Sequence, residues 1–267
     1  MANKGLLNRL KLPESTGIVD LDDPNNIHII RNIIQRKPFL KKTYESFYQD
    51  MLRRCINVHS GGDFVEMGSG AGFIKKLAPH VITSDVLPYE GVDLVFSALD
   101  IPLKDSSVSA FLMIDVLHHV KDSARFFEEM QRCLKTGGKI VMIEPANTSW
   151  SMFIYTRFHH EPFEPSGKWG FDEGGPLTGA NMAIPWIIFF RDMDLFAKKF
   201  PQLKACSIQI HTPFRYLLSG GLSLRQLLPS FFYPVICLIE WLLLPFNRHI
   251  GMFMTIELEK INQTHKK

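Results

Sequence analysis

Val65-Glu66-Met67-Gly68-Ser69-Gly70-Ala71-Gly72-Phe73 runs from an apolar strand through an acid into three glycines at alternate positions. Glycine is needed where the backbone takes positive φ or where a ligand lies against it. A strand turning sharply into a helix around a nucleotide-like ligand makes both demands. A dinucleotide fingerprint, Gly-x-Gly-x-x-Gly/Ala, counted from Gly68 requires a small residue at position 73, where Phe73 stands. Only a register shifted onto Gly70-Ala71-Gly72 would restore it.

Upstream, apolar residues at Phe39, Leu40, Tyr44, Phe47, Tyr48, Met51, Leu52 and Cys55 step by three and four, which predicts an amphipathic helix. Downstream, the pattern predicts a strand over 64–67, a short helix over 73–78 stopped by Pro79, and strands over 81–84, 92–96 and 110–114. A helix capped by Asp122 or Ser123 carries Phe127, Met130 and Leu134 on one face and ends at Gly137-Gly138, before a strand over 139–143. This alternation predicts an α/β, doubly wound, Rossmann-like sheet with ligands at the carboxyl ends of its strands. A kinked helix over 184–200 and two strands over 204–210 and 252–258, paired antiparallel, complete it.

The chain has 267 residues, 46% of them hydrophobic and 21% charged, which fits one large α/β domain with insertions. Twenty-one Phe imply an aromatic interior or pocket. A net charge of +3 with no run of Lys or Arg argues against a nucleic-acid partner. Cys55, Cys133, Cys206 and Cys237 are scattered, as in a reducing cytoplasm, and residues 1–16 lack a secretory pattern, so a cytoplasmic location is expected.

The order of elements and the residues at strand ends resemble the class I S-adenosylmethionine-dependent methyltransferases, in their small-molecule branch. The motifs are 65–72, Thr83-Ser84-Asp85, 98–103, 115–120 and 134–145. The resemblance implies a mostly parallel seven-stranded sheet with one antiparallel late strand. It also implies a helical cap over 1–60, a methyltransferase domain over 61–267, and insertions after strands five and six at about 146–183 and 214–249.

S-adenosyl-L-methionine is then the implied cofactor. Gly68, Ser69, Gly70 and Gly72 match the loop beneath its methionine part, Glu66 the acid that orients the ammonium, and Asp85 with its neighbour Val86 the ribose site. At the adenine position Ser97-Ala98-Leu99-Asp100-Ile101-Pro102 departs from the family's Asp-Ala-x-x-Leu-Pro, leaving the Ser97 hydroxyl and the Ala98 backbone as the readers. Asp115 begins the segment beside the sulfonium, and His118-His119 are read there as packing and hydrogen-bonding groups. Asp115 and Glu144 both end strands, but two oxygens without a clear third make a weak Mg²⁺ site.

Methyl transfer requires alignment and, for a hydroxyl acceptor, removal of a proton. Arg157-Phe158-His159-His160-Glu161 offers the densest candidates, with His159 and His160 as the base. No metal is expected there, because adjacent side chains rarely converge and no distant ligand set is evident in the sequence.

Residues 222–246 form an apolar stretch in which Pro229, Pro234, Pro245 and Glu240 make a poor membrane span. A lipid-facing lid, a peripheral membrane contact and a buried insertion remain open for it. The expected activity is methylation, at oxygen or carbon, of a small hydrophobic or lipid-linked acceptor. The alternatives are a nicotinamide-dependent oxidoreductase, for which no Tyr-x-x-x-Lys pair is present, and a non-catalytic cofactor-binding protein associated with membranes.

Overall fold

The computed structural model describes residues 10–13, 22–58, 61–175 and 178–262. Parts of the expected cap, and positions 176 and 177 of the first insertion, lie outside them.

Helices α1 (Asn26–Arg36) and α2 (Pro38–Arg54) precede strand β1 (Asp63–Glu66). Strands β2 (Ile82–Asp85), β3 (Leu94–Val95) and β4 (Val108–Ile114) follow, then helix α3 (Ser123–Cys133), β5 (Leu134–Pro145) and helix α4 (Ser149–Phe158). The last strands are β6 (Leu203–His211) and β7 (Phe253–Lys260). The sheet order is β3-β2-β1-β4-β5-β7-β6, with β7 antiparallel to both neighbours and β1 to β5 parallel. This is the expected seven-stranded, doubly wound α/β architecture with its antiparallel late strand.

Alternating side chains divide the interior into two layers. Phe111 and Met113 of β4, with Ile140 and Met142 of β5, join one layer with Phe126, Phe127 and Met130 of α3. Ala110, Leu112, Val141 and Ile143 face the other, against Leu40, Phe47, Tyr48 and Met51 of α2. The helical face predicted over 39–55 is therefore the face that covers the sheet.

Several boundaries differ from the sequence reading. The predicted helix over 73–78 is only a 3₁₀ turn, Ile74–Lys76, because so short a run before Pro79 closes too few hydrogen bonds to propagate. β3 has two residues rather than five and lies at the sheet edge. α3 ends at Cys133, before the glycines, because Leu134 already pairs with Val108, and the positive φ of Gly137 belongs to β5. The expected kink over 184–200 is a break: Ile184–Trp186, a π turn over Ile187–Arg191, then Met193–Lys199.

α4 was not legible. Its apolar residues show no single face, and its capping box pairs Thr148 with Ser151 in place of the usual Glu or Gln. Between β6 and β7 lie helices α5 (Arg215–Ser219), α6 (Tyr233–Leu242) and α7 (Asn247–Ile250).

Candidate active site

β1 and β2 end side by side, and the loop leaving β1 folds back across both. The Ser69 amide donates to Ser84 O at 2.9 Å, and the Gly70 amide donates to Asp85 Oδ2 at 2.8 Å. Gly68 takes φ +61°, and a Cβ there would stand 2.7 Å from Val116 Cγ2, so both conformation and space demand glycine. Gly72 serves differently: its Cβ would meet the Tyr48 hydroxyl at 2.3 Å, so it is the point at which α2 crosses the loop.

One cleft opens at these strand ends. Its lining includes Gly68, Gly70, Asp85, Val86, Ser97, Ala98 and Asp115, with Val116 and His119 of the 115–120 motif, all singled out by the sequence, together with Ile27 and Lys121, which were not. Glu66, Ser69 and Gly72 are not among the lining residues; Glu66 and Ser69 are buried. Asp100 is also absent from the lining, and Ser97 Oγ accepts from the Leu99 amide at 3.2 Å, closing the turn in which it sits.

Glu66 Oε2 is buried with no hydrogen-bond partner. An orphaned carboxylate oxygen in an apolar interior is costly, and it fits a site built to receive a cationic or N–H donor. Burial pushes the Glu66 carboxyl up to about 7, against the pull of hydrogen bonds from Ser69 and Tyr48. Burial likewise raises Asp85, although amides of Leu87, Gly70 and Val86 favour its charge. Asp115 takes φ +56°, uncommon outside glycine, at the end of β4, and burial carries its carboxyl up to about 7.

Behind Asp115, Glu144 is fully buried and its oxygens are committed. Oε1 accepts from the amides of Val116 and Leu117 at 2.9 and 2.7 Å, and Oε2 lies 2.7 Å from His118 Nδ1. Glu144 therefore organises the segment after β4, and an Asp115–Glu144 pair for Mg²⁺ finds no free oxygen on that side.

Four histidines surround the Glu161 carboxylate: His159 Nδ1 and His160 Nε2 approach it at 3.8 and 3.7 Å from its own segment, and His118 and His119 from the loop after β4. His159 and His160 lie on the exposed side of the 159–161 run, and neither lines the cleft. Glu161, which the sequence reading left in the background, faces inward toward His118 and His119. The spacing of the sequence does not disclose that this His-His pair, in the loop after β4, approaches Glu161.

The apolar insertion is not buried. Phe231, Leu238, Trp241 and Leu242 are 71, 56, 64 and 60% exposed, so the core reading of 222–246 is excluded. Glu240 faces inward instead: it accepts from the amides of Phe214 and Arg215 at 2.9 and 2.7 Å and pairs with the Arg215 guanidinium. No single helix among the described residues is long and apolar enough to cross a membrane, and Ser230–Leu242 and Leu244–Ile250 are bent 63° from one another.

A glycine loop and strand-end acids around one cleft of a doubly wound sheet define a nucleotide-type cofactor domain. Residues 65–142 match the family model described as "Methyltransferase domain". A probable S-adenosylmethionine-dependent methyltransferase of Mycolicibacterium smegmatis is 30% identical over 124 residues, covering 41% of this chain and 47% of that protein. One of Mycobacterium tuberculosis is 27% identical over 124 residues, covering 41% and 44%. The match thus spans about half the length of these curated relatives.

Among solved structures, a geranyl diphosphate methyltransferase in complex with S-adenosylmethionine superposes with TM-score 0.51 at 14% identity, covering 94% of this chain and 97% of that one. The geranyl diphosphate C-methyltransferase of Streptomyces coelicolor gives 0.50 at 14%, covering 91% and 89%. At this identity the likeness concerns the fold. Residues 65–142 thus match a methyltransferase domain, set in a fold that the chain shares with these solved methyltransferases.

Proposed function

We propose that the protein methylates a small hydrophobic or lipid-linked acceptor at oxygen or carbon. The reading rests on one observation above others: the partnerless, buried Glu66 Oε2 beneath a glycine loop whose next strand ends in Asp85. Glu66 would receive the amino-acid ammonium of S-adenosylmethionine, and Asp85 the ribose hydroxyls, with Val86 at the rim. Gly68, Ser69, Gly70 and Gly72 would form and support the loop beneath the methionine part. Ser97 and the Ala98 backbone would read adenine, and Asp115 would flank the reacting centre. When bound, the cofactor supplies an electrophilic methyl carbon, so the protein's task is alignment and exclusion of water.

Residues 22–58 act as the cap of a methyltransferase domain beginning near residue 61, with Ile27 reaching the cleft wall. The exposed face of α6 would rest on a lipid surface. Exposed Met152, Phe153 and Phe158 of α4 supply further apolar area, and Arg157, over the Phe153 ring at 4.2 Å, supplies positive charge for anionic headgroups. This favours a hydrophobic acceptor drawn from the bilayer.

Isothermal titration with S-adenosylmethionine, S-adenosylhomocysteine and NAD tests the cofactor. Micromolar binding of the first two is expected, and NAD binding without them overturns the reading. Transfer of a labelled methyl group into lipid extracts, compared with water-soluble metabolites, tests the acceptor class.

A further inference from the structure

Glu161 has no part in the cofactor cleft, yet imidazoles from a separate element converge on its carboxylate. His118 Nε2 lies 3.5 Å from Oε2, and His119 Nε2 lies 3.7 Å from Oε1. The opposite ring nitrogens are both engaged. Gly179 O can only accept, so His119 Nδ1, 2.9 Å away, carries a proton. Glu144 accepts two backbone amides on one oxygen, and His118 Nδ1 lies 2.7 Å from the other, which turns the His118 Nε2 toward Glu161.

Both Nε2 atoms face this one carboxylate, an arrangement that either a proton on His118 or a bound cation holds together. The three ligand atoms lie within 4.8 Å of one another, a separation that metal–ligand bonds of about 2.1 Å close with small side-chain movements.

We propose that His118, His119 and Glu161 form a divalent metal site for a borderline ion such as Zn²⁺, Fe²⁺, Mn²⁺ or Co²⁺. Two imidazoles and a carboxylate suit these ions better than Mg²⁺ or Ca²⁺, which favour all-oxygen shells. The carbonyl of Gly179 and the carboxylate of Glu144 are the partners that orient metal-bound histidines. His159 Nδ1 and His160 Nε2 also lie 3.8 and 3.7 Å from this carboxylate, but the mutual spacing within 4.8 Å holds for His118, His119 and Glu161, and His159 Nδ1 accepts from the Glu161 amide at 3.3 Å.

Three protein ligands leave open positions, and His119 also forms part of the cleft wall. Resting on the methyl-transfer reading, this assigns an acceptor with an oxygen donor, a hydroxyl, enol or carboxylate, that the ion holds beside the cofactor cleft.

The test is titration of the metal-stripped full chain with Zn²⁺ alone and Co²⁺ alone, followed by calorimetry and visible absorption. One equivalent per chain is expected, with Co²⁺ bands typical of nitrogen and oxygen ligands. Glu161→Gln and His119→Gln should each weaken uptake by more than about 100-fold, since even outer partners of metal ligands are worth 10- to 100-fold. His249→Gln, on α7, should leave it unchanged. Absence of stoichiometric uptake, or uptake undiminished in both ligand variants, overturns the site.

If the variants do not fold, X-ray absorption of the Zn²⁺-loaded wild type decides: two imidazole nitrogens support the site, and fewer overturn it. S-adenosylmethionine affinity measured on the same preparation separates the two readings. Metal uptake without cofactor binding overturns only methyl transfer, and cofactor binding without metal uptake overturns only the metal site.

Discussion

The Gly70 amide donates to Asp85 Oδ2 at 2.8 Å, which joins the glycine loop to the carboxyl end of β2. The other oxygen, Oδ1, accepts from the Leu87 amide at 3.0 Å, so the carboxylate is held in one orientation by the backbone on both sides. A side chain fixed in this way loses little freedom when a diol arrives, which is how preorganisation gains affinity.

Asp85→Ala should therefore weaken S-adenosylhomocysteine binding by about 1 to 3 kcal/mol, the range for loss of a charged acceptor. Titration calorimetry reads it directly. An unchanged dissociation constant would remove Asp85 from the ribose site.

The glycines of the loop should fail in different ways. Gly72→Ala drives a methyl group toward the Tyr48 hydroxyl and Ser69 O, at 2.3 and 2.7 Å. Such overpacking typically costs about 1 to 3 kcal/mol. Gly70 has open space around its would-be Cβ but takes φ +46°. Gly70→Ala should therefore cost about 1 kcal/mol through backbone strain while interfering with the cofactor. Thermal melts and cofactor titrations of the two variants should rank oppositely, and equal melting temperatures would contradict the packing of α2 on the loop.

Glu66 gives a pH dependence with a definite sign. Its folded pKa, about 7, exceeds its ordinary 4.5, so the folded protein holds the proton more tightly than the unfolded chain. Stability is then lost, not gained, as pH rises from about 4.5 to about 7, by up to roughly 3 kcal/mol at ~1.4 kcal/mol per pKa unit. Urea midpoints of wild type and Glu66→Gln at pH 5 and 7.5 should diverge, the variant losing less. An ammonium ligand favours the ionised form, so cofactor binding at pH 6 should release up to one proton. Calorimetry in buffers of different ionisation enthalpy measures that release, and proton uptake would refute the assignment of Oε2.

The glycine-loop side of the cleft is legible in the sequence because its constraints are local. Gly68, Gly70 and Asp85 are fixed by turn conformation and strand ends, which a short stretch of sequence expresses. Glu161 was illegible for the opposite reason. Its partners His118 and His119 come from the loop after β4, some forty residues earlier, and only the return of the first insertion across the strand ends brings them together. His159 and His160 were singled out for their chemistry, but exposure of a residue in an irregular segment is set by tertiary packing. The apolar stretch after β6 carried its composition in plain view, while its outward orientation depended on the single inward carboxylate of Glu240.

That carboxylate leads to a two-part expectation for the insertion. Glu240 is buried and satisfied by two amides and Arg215, so Glu240→Ala leaves two amides without their acceptor and the part-buried guanidinium with only neutral partners, Ser46, Tyr233 and Thr212. Breaking such a pair costs about 3 to 5 kcal/mol, and the variant should melt well below wild type. Trp241, next in sequence and 64% exposed, points away from the body. Trp241→Glu combined with Leu238→Glu should leave the melting temperature and cofactor affinity close to wild type. If this face meets a bilayer, the double variant should lose sedimentation with vesicles containing anionic phospholipid, because two charges would have to enter the interfacial apolar region. Vesicle binding that survives the double substitution would place the membrane contact elsewhere, and wild-type protein that never sediments would show that the exposed face meets something other than lipid.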